Sequence, residues 1–351
     1  MKRVAVIAGD GIGPEVIREA VLTIEAAQQL FGLEIILTPL DWSADKYLAT
    51  GISMPDGGLE MLASEYDAIL VGAFGDPRVK DNKHAADILL GMRFGLDLYI
   101  NLRPIKLIDA RLCPLKDRAE RDVDFVVFRE NTEGPYTFMG GNFKRGTADE
   151  VAIQEDVNTR KGVERIITAA FDYARATGRK RVTMSDKSNV LTYGHDLWQR
   201  VFKEVAARYS DIEANHLYVD VLTMWMALDP ARFDVIVTNN LFGDIITDLG
   251  AALQGGLGMA ASGNIHPGRV SLFEPVHGSA PQFAGKNVAN PVAAILTAAM
   301  LLDYVGYKEA AMAVEGAVER AVRAGETTTD IGGRLSTTEA GEAIRRHLRQ
   351  G

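Results

Sequence analysis

Two carboxylates four residues apart, Asp244 and Asp248, stand near the end of the stretch FDVIVTNNLFGDIITDLG, Phe233 to Gly250. Val235, Ile236 and Val237 form a β-branched run of the kind that makes a short buried strand. Asn239, Asn240 and Gly243 then break the apolar pattern, as a strand-to-helix turn does, and Ile245, Ile246 and Leu249 resume it at helical spacing. Both aspartates therefore share one helix face, where like charges repel by roughly a few tenths of a kcal/mol unless a cation lies between them. Two solvated aspartates are the plain alternative. Position favours a ligand, because Asp244 falls in the first turn after a strand, where open α/β sheets carry their ligands. With Asp220, on the predicted strand Ala214–Val221, the set is all oxygen, which suits Mg²⁺ or Mn²⁺ rather than Zn²⁺. No Cys/His cluster competes, and no G-x-S-x-G sequence supports a serine hydrolase.

Arg93, Arg103 and Arg129 each lie beside a predicted helix or strand end, in separate segments. Guanidinium groups grip carboxylates in a bidentate fork, so three converging arginines would suit a di- or tricarboxylic acid; surface arginines are the alternative. Tyr136, in the turn RENTEGPY after a predicted strand, and Lys187, in SDKSNVL after another, occupy places where a proton donor or base could stand.

The elements that must position these groups alternate between strand and helix. Val4–Ala8 reads as a strand leading through GDGIGPE into a helix over about 14–31, with Pro14 tolerated in its first turn. The glycine spacing fails the dinucleotide pattern G-x-G-x-x-G, since Pro14 stands at the third glycine, so the loop reads as one that approaches a ligand without being a Rossmann phosphate site, with a plain tight turn as the equal alternative. Further strands are expected at 34–39, 68–72, 124–129 and 181–184, and helices over 81–92, 158–177, 196–209, 291–304, 308–324 and 339–349. The segment 137–154 reads as an extended excursion, and FEPVHGSAPQFAGKNVANP, 273–291, is too long for a simple connector. The chain has 351 residues, 47% hydrophobic and 24% charged, enough for two domains of a soluble enzyme. A net charge of −9 argues against nucleic acid and anionic membrane as partners, and the single Cys113 indicates a reducing, cytoplasmic location.

The strings GDGIGPE, NLRP, RENTEG-Y, DKSNVL, YVD, NLFGDIITDL, FEPVHGSAP, AGKNVANP and TTTDIGG, spread over residues 9 to 333, resemble the β-decarboxylating dehydrogenases, the family of isopropylmalate, isocitrate, homoisocitrate and D-malate/tartrate dehydrogenases. The resemblance implies an α/β fold with two domains around a large mixed sheet: residues 1–98 and 252–351 binding the cofactor, and 99–251 carrying substrate, metal and dimer contacts, with a dimerisation arm at about 137–155. It implies that Arg93, Arg103 and Arg129 hold substrate carboxylates, and that Asp220, Asp244 and Asp248 hold Mg²⁺ or Mn²⁺. Lys187 would accept the hydroxyl proton through Asp220 or a water, and Tyr136 would protonate the enolate left by CO₂. Lys187 and Asp220 would come from the neighbouring subunit, making each site a property of a homodimer, and dimers could pair into tetramers. NAD would rest on Ile12, Glu274, His277, Gly278, Ser279, Ala280, Gln282 and Asn290, with Asn189 facing the nicotinamide.

Gln282–Phe283 stands where NAD-using members of the family usually have Asp and NADP-using members Lys-Tyr, and NAD is the expected cofactor. Ala86, Leu89 and Leu90 present an apolar surface before Arg93, which suits the isopropyl group of 3-isopropylmalate, or a substrate with little at C3 such as D-malate. Oxidative decarboxylation of 3-isopropylmalate in leucine biosynthesis is the favoured reading, with D-malate/tartrate dehydrogenase as the alternative. A non-catalytic regulatory subunit is the alternative of another class.

Overall fold

The computed structural model describes residues 1–351. The chain divides into two compact units, one of residues 1–98, 106–120 and 251–351, the other of residues 99–105 and 121–250. The segment 106–120 thus packs with the first unit, which interrupts the stretch 99–251 expected as one domain.

From the N-terminus come β1 (Lys2–Ile7), α1 (Gly13–Phe31), β2 (Ile35–Leu40), α2 (Ala44–Thr50), α3 (Gly58–Glu65), β3 (Ala68–Val71) and α4 (Lys83–Gly95). The middle supplies β4 (Ile100–Lys106), β5 (Asp124–Glu130), β6 (Gly140–Phe143), β7 (Val151–Gln154), α5 (Arg160–Thr177), β8 (Arg181–Asp186) and α6 (Gly194–Ala206). It continues through β9 (Glu213–Tyr218), α7 (Val219–Leu228), β10 (Val235–Thr238) and α8 (Asn240–Leu253). The last part holds β11 (Ala261–Ile265), β12 (Ser271–Pro275), α9 (Val292–Tyr304), α10 (Lys308–Arg323) and α11 (Thr337–Gln350).

In the first unit the strand order is β2-β1-β3-β12-β11, parallel except for the β11/β12 pair. α9 is apolar on every side, and it is buried because α1, α10 and the sheet pack around it. α1 ends at Gly32 in the left-handed conformation, and α11 starts on a capping box between Ser336 and Glu339. α2 and α3 were not expected from the sequence; Ser43 caps the short α2 by accepting the Lys46 N–H.

In the second unit the order is β4-β5-β10-β8-β9, and β10 is flanked in parallel by β5 and β8. All four residues of β10 are buried, as its β-branched composition requires. β6 and β7 form an antiparallel hairpin in which every residue is exposed, Phe143 and Ile153 included. Two local expectations change. The strand expected over 214–221 ends at Tyr218, so Asp220 lies in the first turn of α7, where the apolar run VLTMWMAL continues as helix. Gly243, read as part of a turn, lies inside α8, and the strand-to-helix connection is Asn239 alone.

Candidate active site

Thr238 at the end of β10 pairs with Arg129 at the end of β5, so the Arg129 side chain emerges beside the first turn of α8. It is 2% exposed. Its Nε and Nη2 donate to Asn240 Oδ1 at 3.0 and 2.8 Å, and its Nη1 donates to Asp244 Oδ1 at 2.5 Å. Room for its stem comes from Gly243: a Cβ there would stand 2.4 Å from Arg129 Cγ. The glycine in NLFGD thus serves close approach within a helix, at a cost in propensity of about 1 kcal/mol.

The other oxygen of Asp244, Oδ2, accepts the Tyr136 hydroxyl at 3.1 Å, and the Arg129 guanidinium lies 5.2 Å from the Tyr136 ring centroid. Arg103 approaches from β4. Its Nε donates to Asn101 Oδ1 at 2.7 Å, its Nη1 to Thr247 Oγ1 at 2.6 Å, and its Nη2 lies 3.9 Å from Asp244 Oδ1. Two guanidiniums and a phenol therefore converge on one carboxylate whose side chain is 43% exposed. Two cations against one anion leave positive charge for an acidic ligand. Asp248 is exposed one turn further along α8.

A second cluster forms where β8 ends. Lys187 Nζ donates to Asp220 Oδ1 at 2.6 Å and lies 5.8 Å from the Tyr218 ring centroid. That hydrogen bond from Lys187 holds the Asp220 carboxyl below the usual range. Next to Lys187, Asp186 is 1% exposed and lies 2.8 Å from His216 Nε2. Burial pushes the Asp186 carboxyl up, but hydrogen bonds from His216, the Ser188 N–H and Gln199 outweigh it and bring it below the usual range.

No three His, Cys, Asp or Glu side chains of the chain gather into a metal-binding group. Asp220 therefore does not join Asp244 and Asp248 within one chain. Arg103, Arg129 and Tyr136 gather on Asp244, with Asp248 one helical turn along, and Lys187 and Asp220 form a separate pair. The carboxylate oxygens on offer fit a hard divalent cation once a further carboxylate completes them.

In the first unit the loop after β1 rests on the segment after β12. Ile12 N–H donates to the Ser279 carbonyl at 2.8 Å, and a Cβ on Gly11 (φ +58) would stand 2.0 Å from that oxygen. Glu15 accepts the N–H groups of Gly285 at 2.5 Å and Asn287 at 3.0 Å, fixing the following loop. His277 Nε2 is buried with no hydrogen-bond partner, as a residue awaiting a polar ligand would be. Burial pushes the His277 imidazole below its ordinary range, hydrogen bonds notwithstanding. Glu274 accepts from Asn264 Nδ2 at 2.8 Å, and Asn290 spans the Asp330 carboxylate and the Val292 N–H, both at 3.0 Å. Gly278 and Gln282 are exposed, and Ala280 takes a left-handed φ of 40°. Leu89, Leu90 and Arg93 lie on the second half of α4, partly buried; Leu89 packs on the core beneath. Asn189, in the other unit, is exposed.

Residues 3–344 match the family model described as isocitrate/isopropylmalate dehydrogenase. The chain belongs to the isocitrate/isopropylmalate dehydrogenase family. Members of the isocitrate/isopropylmalate dehydrogenase family are metal-dependent oxidoreductases acting on small hydroxy acids with a nicotinamide cofactor. The chain is 46% identical to the 3-isopropylmalate dehydrogenase of Thermobifida fusca, over 97% of this chain and 96% of that protein. It is 49% identical to the 3-isopropylmalate dehydrogenase of Mycobacterium avium, over 97% and 98%. The crystal structure of isocitrate dehydrogenase from Methylococcus capsulatus superposes with a TM-score of 0.89 at 37% identity, covering 100% of both chains. The mixed α/β architecture is thus the family fold. No helix is long and apolar enough to cross a membrane.

Asn240, Asn101 and Thr247, which anchor the two arginines, were not singled out from the sequence as site residues. A signal existed for Asn240 alone, at the start of a helix already suspected of holding ligands.

Proposed function

We propose that the protein is an NAD- and divalent-metal-dependent dehydrogenase that oxidatively decarboxylates 3-isopropylmalate, a step of leucine biosynthesis. The observation that carries this reading is the convergence of Arg103, Arg129 and Tyr136 on Asp244, a cationic cluster with a proton donor beside a carboxylate open to a cation.

Arg103 and Arg129 hold the substrate carboxylates together with Arg93, and Asp244 and Asp248 offer oxygens to Mg²⁺ or Mn²⁺. Lys187 and Asp220 of a second copy complete the set, so the working unit is a homodimer, with the exposed β6–β7 hairpin as its arm. NAD, where bound, would supply a hydride acceptor for C2, and the divalent cation held by the aspartates would supply Lewis acidity at the C2 oxygen. Lys187 accepts the hydroxyl proton through its Asp220 partner. When CO₂ leaves C3, Tyr136 gives its proton to that carbon, and the product is a 2-oxo acid. Ile12, Glu274, His277–Ala280, Gln282 and Asn290 hold NAD, with Asn189 toward the nicotinamide, and Gln282 favours NAD over NADP. The protein works in the cytoplasm.

Leu89 and Leu90 offer no hydrogen-bond donor to a third carboxylate, which supports an apolar C3 substituent. Rates of NADH formation with 3-isopropylmalate, D-malate, L-tartrate and isocitrate, each with Mn²⁺, test the assignment. The highest kcat/KM is expected with 3-isopropylmalate. A dominant rate on isocitrate would refute the apolar pocket, and one on D-malate or tartrate would move the protein to that branch.

A further inference from the structure

Lys187 has a buried support that no step above uses. His195, in the first turn of α6, is fully buried, and its Nδ1 accepts the backbone N–H of Lys187 at 2.8 Å. Lys187 follows the last residue of β8, so its N–H lies beyond the strand and needs a partner from elsewhere. With Nδ1 accepting, the ring carries a proton on Nε2, which faces Asp156 Oδ2 at 3.6 Å. Phe242 packs edge-on against the ring at 5.5 Å. Asp156 is itself held by Asn158 Nδ2 at 2.9 Å, and Asn158 by Trp198 Nε1 at 2.8 Å. The imidazole is therefore held at Nδ1 by the Lys187 N–H and on one face by Phe242, with Nε2 turned toward Asp156.

We propose that His195 is a positioning residue for the reaction: it sets the point from which the Lys187 side chain departs toward Asp220 and the substrate hydroxyl. The proposal rests on Lys187 being the proton acceptor. A displacement of about 1 Å at a reacting group can cost 10²-fold in rate. Binding is not at stake, because His195 touches neither the arginines nor the cofactor loop.

The test uses the full-length protein with NAD, Mn²⁺ and the preferred hydroxy acid. Asn places its Oδ1 near the position of Nδ1 and can accept the same N–H; Leu cannot. His195→Leu is expected to lower kcat by about 10- to 100-fold with both KM values unchanged, and His195→Asn to recover most of that loss. Wild-type kcat in folded His195→Leu, or equal losses in the two variants, would overturn the proposal. If His195→Leu does not fold, Asp156→Asn takes its place: a lower kcat at unchanged KM supports the proposal, and wild-type kcat overturns it. Lys187→Ala separates the two claims. Turnover that survives it removes the reading of Lys187 itself, whereas turnover lost there but kept in the His195 variants removes only the positioning role.

Discussion

Gly243 and Arg129 share one space: the helix carries a glycine where a methyl group would lie 2.4 Å from Arg129 Cγ and 2.6 Å from its Cβ. Gly243→Ala would gain helix propensity at an ordinary position. Here it forces the buried arginine aside, so the net effect is destabilising by about 1–3 kcal/mol. Thermal unfolding should show a lower Tm. Steady-state kinetics should show KM for the hydroxy acid rising more than KM for NAD.

Tyr136 donates to Asp244 Oδ2 at 3.1 Å and is stacked under Arg129. Removing only its hydroxyl leaves that packing in place and takes away the proton that Tyr136 is proposed to give to C3. Tyr136→Phe should therefore lower kcat by about 10²- to 10⁴-fold with little change in either KM. A wild-type kcat would reassign the donor.

Much of this site was legible because its residues are punctuated by turn chemistry. Asp244 follows a β-branched run and an Asn pair, and that pattern marks the end of a strand. The resemblance then supplied roles that spacing alone left open for Arg103, Tyr136 and Lys187. What could not be read was support supplied across long sequence separations. Asn240 meets Arg129 from 111 residues away, and Thr247 meets Arg103 from 144. Neither contact leaves a periodic trace. Asp220 was placed on a strand because ANHLYVDV alternates, but helix formation in the following VLTMWMAL takes over at Val219. Gly243 was read as a turn because an isolated glycine usually marks one, and its packing reason appears only with Arg129 in view.

Asp186 lends stability that depends on pH. Its folded-state carboxyl titrates below the unfolded value of about 3.9. The contribution is present above that value and is lost as pH falls through the depressed folded pKa. Asp186→Asn should lower Tm at neutral pH. Between about pH 5 and 3 its Tm should fall less steeply than that of the wild type. Parallel slopes in thermal scans would argue against the His216–Asp186 pairing as the source.

Gln282 is exposed at the start of the loop that Glu15 fixes. An uncharged side chain can accept a ribose hydroxyl but does not repel a 2′-phosphate. NAD should give the higher kcat/KM, and Gln282→Asp should widen its margin over NADP by adding that repulsion. A higher kcat/KM with NADP in the wild type would reverse the cofactor assignment.

Each active site is proposed to join Arg103, Arg129, Tyr136, Asp244 and Asp248 of one chain to Lys187 and Asp220 of another. Lys187→Ala and Asp244→Ala should each be inactive as homodimers. Unfolded together in equal amounts and refolded, they should regain about a quarter of wild-type activity, because half the dimers are hybrids with one intact site in two. Hybrid dimers that form, as seen by native mass spectrometry, yet stay inactive would contradict the account.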